Sequence, residues 1–252
     1  MPTMPQPQFE HDEAAQHSVV DRTRTALRML CAIALAVGLA ALAACSAVDD
    51  TGTGPRDQTP SKRLYPSEVR QYQGAKLSSI EDFSENSIKG PQSVDPKAYR
   101  LEVSGRVQTP LKLTYDQVLA RQNYDKVVRL NCVEGWSVDI WWQGVRVVDL
   151  LEQAGAAADA KVVIFRAVDG YSTSLPLAYL RAQDILLASK MNGVVLPPER
   201  GYPFQLVAED RWGYKWIKWV KEIEVSNDTS FKGYWEQRGY SNGGELDKPS
   251  TD

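Results

Sequence analysis

Apolar and polar residues alternate over several short runs between residues 99 and 225, and this pattern is typical of half-buried β-strands. The predicted strands cover residues 99–107, 127–130, 161–168, 171–175, 185–190, 194–196, 204–208 and 220–225. Asp169-Gly170 and Asn192-Gly193 lie between neighbouring runs and predict tight turns. Most of the chain beyond residue 99 is therefore expected to form sheet.

Short helices are predicted between these strands, over residues 115–121, 145–154 and 177–182, and residues 65–73 are weakly helical. Thr114 is an expected N-cap, and Gly155 suits the left-handed residue that ends a helix. Strands and helices do not alternate regularly and no long repeat is visible. The pattern predicts an α+β fold, a mixed and mostly β domain with short helices, over residues 65–240.

A continuous run of apolar and small residues, 29–44, follows Arg22, Arg24 and Arg28. It is too short and alanine-rich for a comfortable membrane span, but it has the layout of a secretory signal. Leu42-Ala43-Ala44-Cys45 is similar to the bacterial lipoprotein processing box, which implies cleavage before Cys45 and a lipid on its sulfur. We expect a signal peptide at 1–44, a flexible tether at 45–64 and a disordered tail at 241–252. An uncleaved signal anchor is the alternative, and both place the domain outside the cytoplasmic membrane.

The net charge and the numbers of histidines and cysteines argue against several classes of function. The net charge of −3 indicates no surface for nucleic acid. The two histidines, His11 and His17, precede the leader, which argues against Ser-His-Asp triads, Cys-His dyads and histidine-ligated metals. Of three cysteines, Cys31 lies in the leader and Cys45 is the lipid site. Cys132 is then the one free thiol in a compartment that favours disulfides, so we expect it to be buried or bonded to another group.

Two stretches carry candidate chemistry. Residues 129–136, Arg-Leu-Asn-Cys-Val-Glu-Gly-Trp, place Cys132 between a strand and a glycine turn, where a thiol can be held rigidly and still face a cavity. Residues 209–219 combine cations, a glycine and several aromatic rings after another strand. Such a loop can bind an anionic ring compound, or it can be an amphipathic edge strand with packed tryptophans.

Together these stretches resemble the molybdopterin-dependent oxidoreductase domain of the sulfite oxidase fold family, nearest to bacterial periplasmic methionine-sulfoxide-reducing catalytic subunits. The matching pieces span residues 77–225 and occur in the family's order. They are residues 85–90, 99–107, 129–136, 142–144, 169–171, 196–198 and 212–215. The combination of Cys-Val-Glu-Gly-Trp with a later Trp-Gly-Tyr-Lys is the most specific part of the resemblance.

The resemblance implies a molybdenum-molybdopterin cofactor (Mo-MPT), with the Cys132 thiolate as a metal ligand. The protein would bind and orient the cofactor, which carries the redox chemistry. The cofactor-holding positions carried over from the family are Asn86, Lys89, Gly90, Ala167, Arg200, Gln205, Lys215, Trp216, Ile217 and Lys218. Arg200 stands where the family has an asparagine, and Gln205 where it has an arginine.

The expected function is an exported, lipid-anchored molybdoenzyme that transfers an oxygen atom to or from a small sulfur-containing or similar oxyanion or oxide substrate. Glu134 and Arg129 are expected to tune charge near the substrate, and a purely local structural role is the alternative for each. Electrons would pass to or from a haem- or quinone-linked membrane partner. The alternatives are a non-catalytic lipoprotein of the same fold that binds a ligand or partner, and a thiol-redox protein that uses Cys132 directly.

Overall fold

The computed structural model describes residue 65 and residues 67–251. The strands are β1 (Gln71–Tyr72), β2 (Ala75–Lys76), β3 (Arg100–Gly105), β4 (Leu111–Thr114), β5 (Tyr124–Asn131), β6 (Ser137–Arg146), β7 (Val162–Ala167), β8 (Ser172–Pro176), β9 (Leu186–Met191), β10 (Val194–Val195), β11 (Gln205–Val207) and β12 (Val220–Ser226). The α-helices are α1 (Tyr115–Leu119), α2 (Val147–Gln153) and α3 (Leu177–Ala182). The predicted α+β, mostly β fold with short helices is confirmed.

The strands form two larger sheets. In the first, the order is β10-β9-β6-β5, and β11 also pairs with β9; every pairing is antiparallel. In the second, the order is β4-β3-β12-β7-β8, with β3 parallel to β12 and the other pairs antiparallel. The second sheet is therefore mixed, as predicted. Apolar side chains of both sheets, α2 and α3 belong to one buried cluster.

The β5–β6 ladder positions the first candidate stretch. It runs from the pair Tyr124↔Gly144 to the pair Asn131↔Ser137 and ends one residue before Cys132. Val128, Leu130 and Cys132 are buried, whereas Arg129 between them is exposed. Because successive side chains of a strand point to opposite faces, the register that buries Leu130 also buries the cysteine sulfur.

Local signals fixed the two predicted helix ends. The Thr114 hydroxyl accepts the backbone N–H of Gln117, and the Gln117 side chain accepts the backbone N–H of Thr114, which is a capping box at the start of α1. Gly155 has a φ of +67° just beyond α2. Both residues have the predicted roles.

Residues 65–73 differ from the weakly helical prediction. β1 and β2 form a small hairpin, joined by Gln73 and Gly74 at φ +47° and +84°. Left-handed conformations at two successive residues suit a tight hairpin turn and are incompatible with a continuing right-handed helix.

The predicted disordered tail also differs from the structure, since residues 241–251 pack on the domain. The backbone N–H of Trp212 donates to Gly244 O at 2.8 Å, and Tyr214 Oη donates to Ser241 O at 2.8 Å. Tyr240 and Thr251 form an isolated β-bridge. Polar composition suggested disorder, but backbone hydrogen bonds to a distant loop order the segment.

The predicted signal peptide at 1–44, the tether at 45–64 and the lipid site Cys45 lie outside the described residues. Within the described part of the chain, none of the helices has both the length and the apolar character needed to cross a bilayer.

Candidate active site

Cys132 is held in a tight turn after β5. Its backbone N–H donates to Trp136 O at 2.9 Å, and the backbone N–H of Gly135 donates to Cys132 O at 3.1 Å. Gly135 has a φ of +91°, a conformation that other residues adopt only with strain. The turn fixes the thiol at the floor of a cleft, where the residue is 5% exposed.

Hydrogen-bond donors surround the Cys132 sulfur. Asn86 Nδ2 lies 3.6 Å from Sγ, and the backbone N–H groups of Val133 and Glu134 also point to it. Burial raises the pKa of the Cys132 thiol, the two backbone hydrogen bonds oppose that shift, and the Glu134 carboxylate, with Oε2 at 3.7 Å from Sγ, adds to it. Three donors directed at one sulfur favour a thiolate ligand once a cation binds there.

The cleft has two lobes that meet at Cys132. The outer lobe contains about 720 Å³ of space, partly open to solvent. Its walls include Glu134, Asp169, Tyr171, Trp216, Lys218, Trp219, Trp235 and Tyr240. The inner lobe contains about 390 Å³ and is lined by Phe83, Ser84, Leu130, Trp136, Arg200 and Gln205, together with shared residues that include Asn86, Gly213, Trp216 and Lys218.

Lys218 lies at the junction of the lobes. Its Nζ is 3.0 Å from Glu85 Oε2, 3.3 Å from Glu199 O and 4.6 Å from the centre of the Trp219 ring. Burial lowers the pKa of Lys218, and the Glu85 carboxylate partly reverses that shift. The ion pair ties the early loop, residues 77–90, to the loop at residues 209–219.

Arg200 supplies the second cation of the cleft. Its Nε donates to Ile80 O at 3.2 Å and its Nη2 to Phe83 O at 3.1 Å, and the guanidinium lies 4.9 Å from the centre of the Phe83 ring. Burial lowers the pKa of Arg200, although arginine stays charged at neutral pH. Among the described residues, no acceptor is hydrogen-bonded to Arg200 Nη1, so its two N–H groups are available to a ligand in the inner lobe.

The donor set fits an anionic, sulfur-ligating cofactor. The cleft offers a soft thiol at Cys132 and cations at Arg200 and Lys218. In the described part of the chain, no carbonyl or side chain accepts the backbone N–H of Ile217 or Lys218, both of which line the outer lobe. Unpaired backbone donors beside cations are suited to phosphate or pterin oxygens.

The structure brings most of the predicted site residues together. Cys132, Glu134, Asn86, Trp216, Ile217 and Lys218 line the outer lobe, and Arg200 and Gln205 line the inner lobe. Lys89 is exposed, and its Nζ lies 3.5 Å from where a Cβ on Gly170 would be. Gly90 is at φ +74°. Ala167 is buried at the end of β7, where its carbonyl oxygen accepts the backbone N–H of Gly170 at 3.2 Å.

The structure favours the local structural alternative for Arg129 and places Lys215 outside its predicted role. Arg129 points to the opposite face of β5 from Cys132, where its Nη2 is 2.7 Å from Asp139 Oδ2. Lys215 is fully buried, with Nζ 2.6 Å from Glu236 Oε1 and 2.9 Å from Asn242 O. Neither side chain lines the cleft, so the first serves as a surface ion-pair partner and the second stabilises the fold.

The outer-lobe residues that were not predicted as site residues include Asp169, Tyr171, Trp235 and Tyr240. Asp169-Gly170-Tyr171 was part of the resemblance, and its turn follows the strand that ends at Ala167. Trp235 and Tyr240 carried no comparable signal, because they lie in a polar stretch without strand or helix periodicity.

A family model described as the oxidoreductase molybdopterin binding domain matches residues 88–235, which include Cys132 and most of the residues that line the cleft. The chain belongs to this family. The domain binds Mo-MPT, and the chain is a molybdopterin-dependent oxidoreductase. The predicted family, enzyme class and cofactor are thus confirmed.

Individual relatives agree with this assignment. The chain is 37% identical over 151 residues to the uncharacterised oxidoreductase YuiH of Bacillus subtilis strain 168, covering 60% of this chain and 76% of that protein. It is 37% identical over 150 residues to a putative protein-methionine-sulfoxide reductase subunit, YedZ1, of Azospira oryzae, covering 60% of this chain and 57% of that protein.

Among solved structures, sulfane dehydrogenase SoxCD from Paracoccus pantotrophus has the same fold, with a TM-score of 0.56 and 21% identity. The match covers 78% of this chain and 58% of that one. The chain therefore spans little more than half the length of both YedZ1 and SoxCD.

Proposed function

We propose that this oxidoreductase transfers an oxygen atom to or from a small sulfur-containing or similar oxyanion or oxide substrate. The observation that carries the proposal is the position of the Cys132 thiol, at the junction of a cation-lined inner lobe and an aromatic outer lobe. Relatives named for methionine sulfoxide and sulfane support the substrate class.

Bound Mo-MPT supplies the two-electron redox chemistry and the acceptor or donor site for the oxygen atom. The chain's own residues would hold the cofactor: Cys132 through its thiolate, Asn86 and the amides of Ile217 and Lys218 through N–H donors, Gln205 through its amide, and Arg200 and the Lys218 side chain through positive charge. Of the remaining predicted positions, Gly90 and Ala167 can contribute only through the backbone, and Lys89 from the rim.

Glu134 is proposed to tune charge at the substrate. Its Oε2 accepts the Trp136 indole N–H at 2.9 Å, which fixes the carboxylate at 3.7 Å from the Cys132 sulfur. The residue is exposed and faces the outer lobe, so its negative charge lies where a substrate would bind.

The cellular setting is also a proposal. The signal pattern and Cys45 support export and a lipid anchor, which would hold the domain at the outer side of the cytoplasmic membrane. A haem- or quinone-linked membrane partner would exchange electrons with the site, and the name of YedZ1, a reductase subunit, is consistent with such an assembly.

Cys132→Ser tests the site. Because a hydroxyl is a poor replacement for a thiolate on a soft metal, the purified variant is expected to lose nearly all its molybdenum by elemental analysis and all its activity. Circular dichroism should show an unchanged fold. Arg129→Met, which alters a side chain outside the cleft, is the control and should keep its molybdenum. Full metal retention in Cys132→Ser would refute the ligand assignment.

The reaction class needs its own assay. Loaded protein should oxidise a reduced viologen dye in the presence of dimethyl sulfoxide, or reduce ferricyanide in the presence of sulfite. Failure in both directions and with further oxides and oxyanions would refute oxygen-atom transfer and leave only the cofactor-binding assignment.

A further inference from the structure

The C-terminal segment, residues 229–251, forms one wall of the outer lobe and is fixed close to the cleft. The backbone N–H of Tyr234 donates to Ser172 O on β8 at 2.9 Å. A Cβ on Gly233 would lie 2.2 Å from the same oxygen, so the backbones are in direct contact. Glu236 Oε1 accepts hydrogen bonds from Thr173 Oγ1 and Lys215 Nζ, each at 2.6 Å. Contacts on both sides therefore hold Trp235 in place.

Trp235 and Tyr240 present aromatic surface to the lobe. Their ring centres are 5.3 Å apart, and Tyr240 also lies 5.0 Å from Tyr214 in an edge-on arrangement. Ring pairs at these distances restrain one another. The wall is thus a preformed apolar surface opposite the polar groups around Cys132.

The indole N–H of Trp235 is exceptional within the described chain. Six of the seven tryptophans donate this group to a protein acceptor. The acceptors are the side chains of Glu134 and Asp125 and the carbonyls of Val128, Lys248, Arg211 and Pro198. No described residue accepts the Trp235 N–H, although this side chain lines the cleft.

The charged groups of the outer lobe are poorly placed to bind a substrate oxygen. Glu134 and Asp169 are acidic, and Asp169 Oδ1 already accepts the backbone N–H of Tyr171 at 2.9 Å. Lys218 is paired with Glu85. A neutral indole donor can bind an oxide oxygen without adding a charge next to these carboxylates.

We propose that Trp235 is a substrate-binding residue: its indole N–H donates to the oxygen of the substrate, and its ring, with that of Tyr240, contacts the substrate's apolar substituents. This inference rests on the proposed oxygen-transfer function and assigns a specificity role to a residue at the last position of the family match.

Trp235→Phe in the full, cofactor-loaded protein tests the proposal, because it removes the donor and keeps an aromatic ring. KM for dimethyl sulfoxide is expected to rise roughly twofold to tenfold, the range for a lost neutral hydrogen bond, with kcat changing less. The dissociation constant of dimethyl sulfone, an unreactive analogue followed by ligand-observed NMR, should rise by the same factor. Molybdenum content should not change.

Trp141→Phe is the matched control. The indole N–H of Trp141 donates to Asp125 Oδ2 at 2.9 Å, and this side chain does not line the cleft. The KM for dimethyl sulfoxide and the dissociation constant of dimethyl sulfone should therefore stay at wild-type values. Unchanged constants in Trp235→Phe would overturn the proposal, and so would loss of molybdenum, since the indole would then contact the cofactor. If wild-type protein binds dimethyl sulfone through Trp235 but transfers oxygen in neither direction, the oxygen-transfer function fails while the binding role stands.

Discussion

At the scale of the residue, the alternation of one strand separates two side chains that the sequence placed together. Residues 128, 130 and 132 face the interior, whereas Arg129 faces solvent and pairs with Asp139 across the β5–β6 ladder. The sequence predicts that side chains alternate between the two faces of the strand. Packing against the rest of the domain decides whether the odd or the even positions face the cleft. Cys132 was therefore predictable as a ligand candidate, whereas the sequence left Arg129 open between a charge-tuning role and a local structural role.

Arg129→Met should leave molybdenum content, kcat and KM unchanged. The free energy of unfolding at pH 7 should fall only slightly, because solvent screens this exposed pair. Arg129 lowers the pKa of Asp139. The pair's contribution is therefore complete above the ordinary aspartate pKa and is lost as pH falls through the lower folded-state value.

Chemical denaturation between pH 7 and pH 2 measures this difference. Asp139→Asn should reproduce the loss at pH 7, and the double variant should cost less than the sum of the two. A tenfold or greater change in the KM of Arg129→Met would contradict the surface role and indicate that Arg129 acts at the active site.

At the scale of the element, the boundary between β6 and α2 shows where local pattern is insufficient. Residues 145 and 146 were assigned to a helix, yet β6 continues through Arg146 because its end pairs with β9. Gly144 allows this close pairing, since a Cβ there would lie 2.1 Å from Leu187 O and 2.6 Å from Ala188 Cα. Periodicity detects the apolar helix face but not a partner strand more than forty residues away.

Gly144→Ala should therefore destabilise the domain strongly. Backbone atoms of a paired strand cannot move aside, so we expect a loss of roughly 2–3 kcal/mol or more in urea unfolding. Gly239→Ala is the comparison: Gly239 has a φ of +92° but no atom within 4 Å of its Cβ position, so only the backbone strain of about 1–2 kcal/mol applies. Equal losses in both variants would contradict the steric argument.

At the scale of the whole molecule, the C-terminal segment completes the domain through a buried ion pair. Lys215 and Glu236 are fully buried, 2.6 Å apart, and connect the loop at 209–219 to residues 229–251. Burial lowers the pKa of Lys215, and the Glu236 carboxylate opposes that shift. Each of the two charges has its partner only when both segments are folded.

Lys215→Met should cost about 3–5 kcal/mol of unfolding free energy, because it leaves the Glu236 carboxylate buried without its partner. The double variant Lys215→Met, Glu236→Leu should recover part of that loss. Lys248→Ala, which removes an exposed partner of Glu245 in the same segment, should change stability by less than about 0.5 kcal/mol. Differential scanning calorimetry can compare the three, and a double variant worse than the single would contradict this interpretation.

The sequence by itself determined the class of fold, most strands, the helix caps and the chemistry centred on Cys132, because each depends on neighbours within a few residues. Only the tertiary structure decided the two lobes of the cleft, the outward face of Arg129, the burial of Lys215 and the wall formed by Trp235 and Tyr240. Those features depend on contacts between segments far apart in the chain, and local patterns of polarity carry no information about such pairings.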